Sequence, residues 1–235
     1  MAAKGTSARL LWIIVFLMCH PAVGTCQRIM IDAGHSPQAS GAKGCSGKQE
    51  YFYNTDLSDM LATRLRSEAH TVAFTPIADL TSRAASSAGY DFLISIHHDS
   101  VQPQFGSKNH HTGGFCTNKA AGFSIFVSGN NREYDHSLAL AKRLGMELVK
   151  RGARPSLHHA EPIRGENRTL LSPELGIYRF DGLRILSTAQ VPALLLEVAV
   201  ITNPDDEKRA ASPDYQSIVI DSISTTILGG YAGAP

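Results

Sequence analysis

Three shortages narrow the reading of this sequence before any motif is considered. Charge of one sign is lacking. Lys and Arg number 22 against 21 Asp and Glu, the formal net charge is +1, and no run of like charges occurs. That balance exerts no strong pull toward nucleic acid or anionic lipid. Long apolar runs are also lacking. LLWIIVFLMC (residues 10–19) stops after ten residues, and a bilayer span needs about 20. Cysteine is scarce, at four. There is no internal repeat of the kind that builds solenoids. The G-x-S-x-G elbow of many serine hydrolases is absent, and AGHSPQ does not supply one. So is the local H-E-x-x-H zinc template.

What is present begins with an unusual N-terminus. MAAKGTSAR carries Lys4 and Arg9 and no acid, the apolar run follows, and then come Pro21 and AVG. This order is that of a secretory signal peptide, residues 1–24, with cleavage after Gly24 and one domain over 25–235. An uncleaved anchor is the alternative. VGTC is a poor lipoprotein signal, because Thr25 fills the small-residue position. Loss of Lys4 and Arg9 takes the formal charge from +1 to −1. Export, to the periplasm or beyond it, implies an oxidising compartment. Cys26, Cys45 and Cys116 then remain, so at most one internal bridge forms. Cys45–Cys116 is the favoured pair, and three free thiols are the alternative.

The composition of the whole chain, 43% hydrophobic and 18% charged, is that of an ordinary globular protein. RIMIDA (28–33), TVAFT (71–75), DFLISIH (91–97), FSIFVS (123–128) and PALLLEVA (192–199) read as strands. Helical periodicity marks 50–69, 79–88, 134–151 and 213–228, and 154–181 reads as irregular. Strands apolar on both faces and alternating with helices predict an α/β domain. Its sheet is expected to be twisted, mostly parallel and flanked by helices.

In such a sheet chemistry gathers beyond the carboxyl ends of the strands. His35 lies two residues past the first strand, His97 ends the third, Glu197 lies near the end of the last, and Glu50 opens the helix after the first loop. Two histidines and a carboxylate brought together make a zinc site with a fourth position open to water. Taken singly, each histidine is more often a hydrogen-bonded loop residue. A Glu at a helix start commonly answers to the macrodipole alone. Glu197 interrupts an apolar run, where a carboxylate is costly unless it is paired. An ion pair with an arginine such as Arg184 would also account for it.

IMIDAGHSPQASGAKG, EYFYNTDL, FLISIHHDS and PALLLEVAVITNPDDE follow one another in this order. Together they resemble the motifs of the zinc-dependent N-acetylmuramoyl-L-alanine amidases, the type-3 cell-wall amidases. LTSRAASSA is similar to that family's R-x-x-x-A segment and places Arg83 in the second helix. The resemblance runs from about Ile29 to Ile227. It implies a single zinc-exopeptidase-like α/β domain and one Zn2+ per chain, held by His35, Glu50 and His97, with Glu197 as the catalytic carboxylate. The implied reaction is hydrolysis of the amide between N-acetylmuramic acid and L-alanine in peptidoglycan or muropeptides. A monomer is expected, with no nucleic-acid partner, no membrane attachment once the signal is removed, and no built-in autoinhibitory helix.

The sequence departs from the family pattern in DAGHSP, SIHHDS and VAVITN. These changes spare every proposed ligand but alter the surroundings of His97 and Glu197. Alternation along a strand turns His98 away from the metal and Asp99 toward it. Asp99 reads equally well as a residue orienting a ligand or as a solvated acid. His110, His111, His158 and His159 read as solvated surface. Tyr178 and Arg184 read as packing residues, with a groove-lining role as the alternative. A Cys45–Cys116 bridge would tie together two loops flanking the metal. Two other activities compete: a zinc carboxypeptidase or peptidase on a related fold, and a non-catalytic wall-binding protein. The second is expected to have lost one of the four key residues.

Overall fold

A computed structural model describes residues 26–229. The leader expected over residues 1–24 lies outside the described residues. Nine strands are defined: β1 (Arg28–Ala33), β2 (Thr71–Phe74), β3 (Phe92–Asp99), β4 (Ser107–Lys108), β5 (Phe115–Cys116), β6 (Ser124–Val127), β7 (Thr169–Ser172), β8 (Ile177–Arg179) and β9 (Ala193–Val200). Six helices are interleaved with them: α1 (Glu50–Ser67), α2 (Leu80–Ala85), α3 (Tyr134–Lys150), α4 (Arg184–Ser187), α5 (Pro204–Ala210) and α6 (Pro213–Leu228). Seven strands form one sheet in the order β2-β1-β3-β9-β6-β8-β7, and β4 and β5 form a separate ribbon.

The domain is α/β, as expected, and its sheet is mixed. The half β2-β1-β3-β9 is parallel throughout. At β6 the direction reverses against β9, β8 follows β6 in parallel, and β7 closes the edge antiparallel. The segment 154–181, expected to be irregular, therefore supplies the last two strands at one side of the sheet, the edge strand β7 and its neighbour β8. They are only four and three residues long, too short to carry a periodic signal.

Alternation along the parallel strands sorts residues between two apolar layers. Ile29, Ile31, Ile94, Ile96, Leu194 and Leu196 face one side, against Leu57, Leu61 and Leu65 of α1 and residues of α3 and α6. Met30, Leu93 and Leu195 face the other, against Ala84 of α2 and Ile185 and Leu186 of α4. Each such fully buried aliphatic side chain stabilises the fold by on the order of 1.5–3 kcal/mol. Both layers end at the carboxyl edge of β1, β3 and β9, where polar residues take over.

Around that edge the loops are tied down. Cys45 and Cys116 form a disulfide, with Cα atoms 4.8 Å apart, joining the loop before α1 to β5. Glu207 of α5 accepts hydrogen bonds from the Ser46 amide (2.9 Å), the Ser46 hydroxyl (2.6 Å) and the Tyr53 hydroxyl (2.9 Å). Asp206 accepts from the amides of Gly122 (2.7 Å) and Val200 (2.8 Å). The PDDE segment after the last strand thus holds the neighbouring loops by their backbones.

Candidate metal centre

His35, Glu50 and His97 converge. His35 Nε2 lies 2.9 Å from Glu50 Oε2, His97 Nδ1 lies 2.9 Å from Glu50 Oε1, and the two imidazole centroids are 4.9 Å apart. One ligand atom from each residue falls within 4.8 Å of the others. Glu50 is buried, and burial favours its neutral form, yet the hydrogen bonds and charges of His35 and His97 hold it well below the usual carboxylate range.

Each residue is placed by a distinct local device. His35 is non-glycine at φ +71°, a left-handed conformation that needs support from its surroundings. Arg83 gives that support. It pairs with Asp32 at 2.7 Å and donates to the carbonyls of Ala33 (2.7 Å) and His35 (3.2 Å). Asp32 also accepts from the hydroxyls of Thr75 and Ser95. Glu50 opens α1 without a side-chain cap on Gln49, and its Oε2 accepts from the Ala42 amide at 2.9 Å. Asn54, one turn on, donates to Glu50 Oε1 (3.3 Å) and to the Gly34 carbonyl (3.1 Å). A Cβ at Gly34 would run into the His97 ring, and one at Gly41, which has φ +75°, into the Glu50 carboxylate and the His35 ring. The absence of a side chain at Gly34 and Gly41 therefore leaves these three side chains the space they occupy.

Glu197 stands beside His97. The two are register partners in the parallel pairing of β3 and β9, so their side chains share a face. Glu197 Oε2 is buried and has no hydrogen-bond partner. Burial, and then the charges of Asp99 and Glu50, push its carboxyl well above the ordinary range. The arginine pairing entertained for it is not formed. Arg184 is exposed and donates to Thr81 Oγ1 at 3.4 Å. Glu197 instead lines a cavity of about 180 Å3 with Asp99, Phe126, His159, Glu166 and Phe180.

A family model described as N-acetylmuramoyl-L-alanine amidase matches residues 29–228. The chain belongs to this family. The probable cell wall amidase LytH of Staphylococcus saprophyticus is 27% identical over 199 residues, which cover 83% of this chain and 55% of that protein. This chain thus spans about half the length of that relative. N-acetylmuramoyl-L-alanine amidase AmiA of Salmonella typhimurium is 23% identical over 237 residues, covering 87% and 76%. Among solved structures, the N-acetylmuramoyl-L-alanine amidase from Clostridium difficile 630 superposes with a TM-score of 0.67 at 21% identity, covering 87% of this chain and 96% of that one. Ami1 from Mycobacterium smegmatis gives 0.64 at 19%, covering 86% and 97%. At these identities the solved structures establish the fold.

Of the other residues singled out in this family member, His158 and His159 stand elsewhere than expected. His98 turns away from the cluster, as alternation requires. It is buried beside Tyr53 (rings 5.4 Å apart) with Nδ1 2.8 Å from Asn54 Oδ1, and burial lowers its pKa to about 3. His110 and His111 are exposed. His158 and His159, expected as solvated surface, are buried on Asp99. Tyr178 is buried, and its hydroxyl donates to the Ser156 carbonyl. Asn54, Glu166 and the interior placement of the two histidines were missed. HHAEPIRGENR lies where the sequence shows no periodicity, so nothing local marks its side chains as interior.

Proposed function

We propose that this chain is an exported zinc hydrolase that cleaves the amide between N-acetylmuramic acid and L-alanine in peptidoglycan. In this reading His35, Glu50 and His97 hold the ion, and Glu197 is the general base. One observation carries it: in a chain of this family, two imidazoles and a buried carboxylate meet in a glycine-lined cradle, next to a carboxylate with an unpartnered buried oxygen.

The donor set suits the ion. Two neutral imidazoles and one carboxylate are the His2Glu type of catalytic zinc site and leave a net positive charge. Bound there, zinc would polarise the scissile carbonyl and lower the pKa of water from 15.7 to roughly 7. The chain's own groups account for the rest. Glu197 takes the proton of the attacking water and hands it to the departing L-alanine nitrogen. Its raised proton affinity suits a base, and cationic charge at the neighbouring cluster opposes that rise and keeps the carboxylate accessible. Phe126, Phe180 and Leu183 give the cavity beside it an apolar wall.

An extracytoplasmic location follows from the substrate and agrees with the leader read in the sequence. Among the described residues no helix is long and apolar enough to cross a membrane. Purified muropeptides digested by zinc-loaded protein should yield an intact stem peptide with a free L-alanine amino terminus, identified by mass spectrometry. Shortened stem peptides would instead mark a peptidase.

A further inference from the structure

A second group of donors lies two residues further along β3. Asp99 Oδ2 is 2.8 Å from His159 Nε2 and 3.3 Å from His158 Nε2. The imidazole rings are tilted against each other, with centroids 3.9 Å apart. Each ring is held by its other nitrogen. His158 Nδ1 is 2.9 Å from Ser156 Oγ, and His159 Nδ1 is 2.8 Å from Glu166 Oε2. Glu166 is itself fixed by the Gln102 amide at 2.9 Å. This is the outer arrangement of metal-bound histidines: a hydroxyl or carboxylate fixes one nitrogen and directs the other at the ion.

A purely structural ion-pair cluster would leave the inner atoms satisfied, and it does not. His158 Nε2 is buried and forms no well-aligned hydrogen bond, although Asp99 Oδ2 lies 3.3 Å away. The side chain of His158 is only 4% exposed, so this nitrogen points into the cluster and not at bulk solvent. The same cavity presents the carboxylates of Asp99, Glu166 and Glu197. Arg168 also lines it, with its guanidinium 3.7 Å from the Phe180 ring centroid.

We propose that Asp99, His158 and His159 form a second divalent metal site, a His2Asp set suited to Zn2+, with its remaining position open to the cavity that Glu197 lines. Two imidazole nitrogens, borderline donors, outnumber the one hard carboxylate oxygen and favour zinc over calcium or magnesium. The site is separate from the His35, Glu50 and His97 cluster and does not depend on which bond the protein hydrolyses. An ion there would take solvent or a substrate oxygen as its further ligand, on the face of the sheet that carries Glu197.

Metal counting tests this without reference to turnover. Full-length protein stripped with a chelator is dialysed against buffered Zn2+, and metal per chain is measured by plasma mass spectrometry. Wild type should bind two ions, Glu50→Gln one, and His158→Gln and His159→Gln one each. Glu50→Gln combined with His158→Gln should bind none. Circular dichroism and thermal unfolding of each stripped variant show whether it remains folded. Cobalt loading gives a second readout: the visible absorption should have two components, one lost with Glu50→Gln and the other with His158→Gln. A single ion in wild type, removed by Glu50→Gln and kept by both histidine variants, would overturn the second site while leaving the first intact. Two ions that both persist in the histidine variants would overturn it as well.

Discussion

His97 and Glu197 occupy matched positions on β3 and β9, with their side chains on the same face of the sheet. Strand pairing therefore sets the spacing between a candidate ligand and the candidate base. Neither residue can move without shifting a central strand whose inward neighbours, Ile96 and Leu196, are fully buried.

Replacing that base should separate turnover from metal binding. Glu197→Gln keeps the shape and removes the proton acceptor, so hydrolysis of muropeptides should fall by about 10²–10⁴-fold, the usual contribution of general base catalysis. The zinc associated with His35, Glu50 and His97 should remain in place. Joint loss of metal and activity would assign Glu197 to the ligand set.

Gly41 tests the cradle from outside the donor set. Its φ of +75° and its approach to Glu50 and His35 make Gly41→Ala doubly unfavourable, in strain and in space. Zinc affinity, read by chelator competition, should weaken by about 10–100-fold, as for other disturbed metal surroundings. An unchanged affinity would show that the loop gives way freely.

Arg83 and Asp32 form a buried ion pair with almost no exposure on either side. Removing one partner strands the other charge, so Arg83→Met should cost about 3–5 kcal/mol in denaturant unfolding. It also frees the His35 carbonyl from its donor. Loss of stability should therefore come with weaker zinc binding.

In metal-free protein, pH should act through His159. Burial opposes its charge, but Asp99 and then Glu166 outweigh burial and raise its pKa from 6.5 to about 9. A raised folded-state pKa adds stability that is complete below pH 6.5 and is lost as pH climbs through about 9. Denaturation midpoints of stripped protein should fall over that window. His159→Gln should flatten the slope.

Much of this architecture was legible in the sequence because its elements are long and periodic. The expected helix at 213–228 matches α6. The apolar runs ending in His97 and Glu197 became the central parallel strands. The reversal at β6 left no mark, since FSIFVS would read alike in either direction. Helix α5 is seven residues long and is set by the Asn203 side chain, which caps the amides of Asp205 and Asp206. A seven-residue helix shows too little periodicity to be found. His35, Glu50 and His97 could be named from order and motif. The interior position of His158 and His159 could not, because a 3-10 turn over His158–Ala160 is buried by tertiary contacts with Asp99, Phe126 and Tyr178.

The central claim is that metal held by His35, Glu50 and His97 is required for hydrolysis, and re-metallation of stripped protein tests it most directly. Release of stem peptides with an L-alanine amino terminus should vanish in the stripped wild type and return as Zn2+ is added. It should not return in Glu50→Gln at any zinc concentration. Hydrolysis that continues undiminished in thoroughly stripped protein, or that Glu50→Gln performs as well as wild type, would contradict the account.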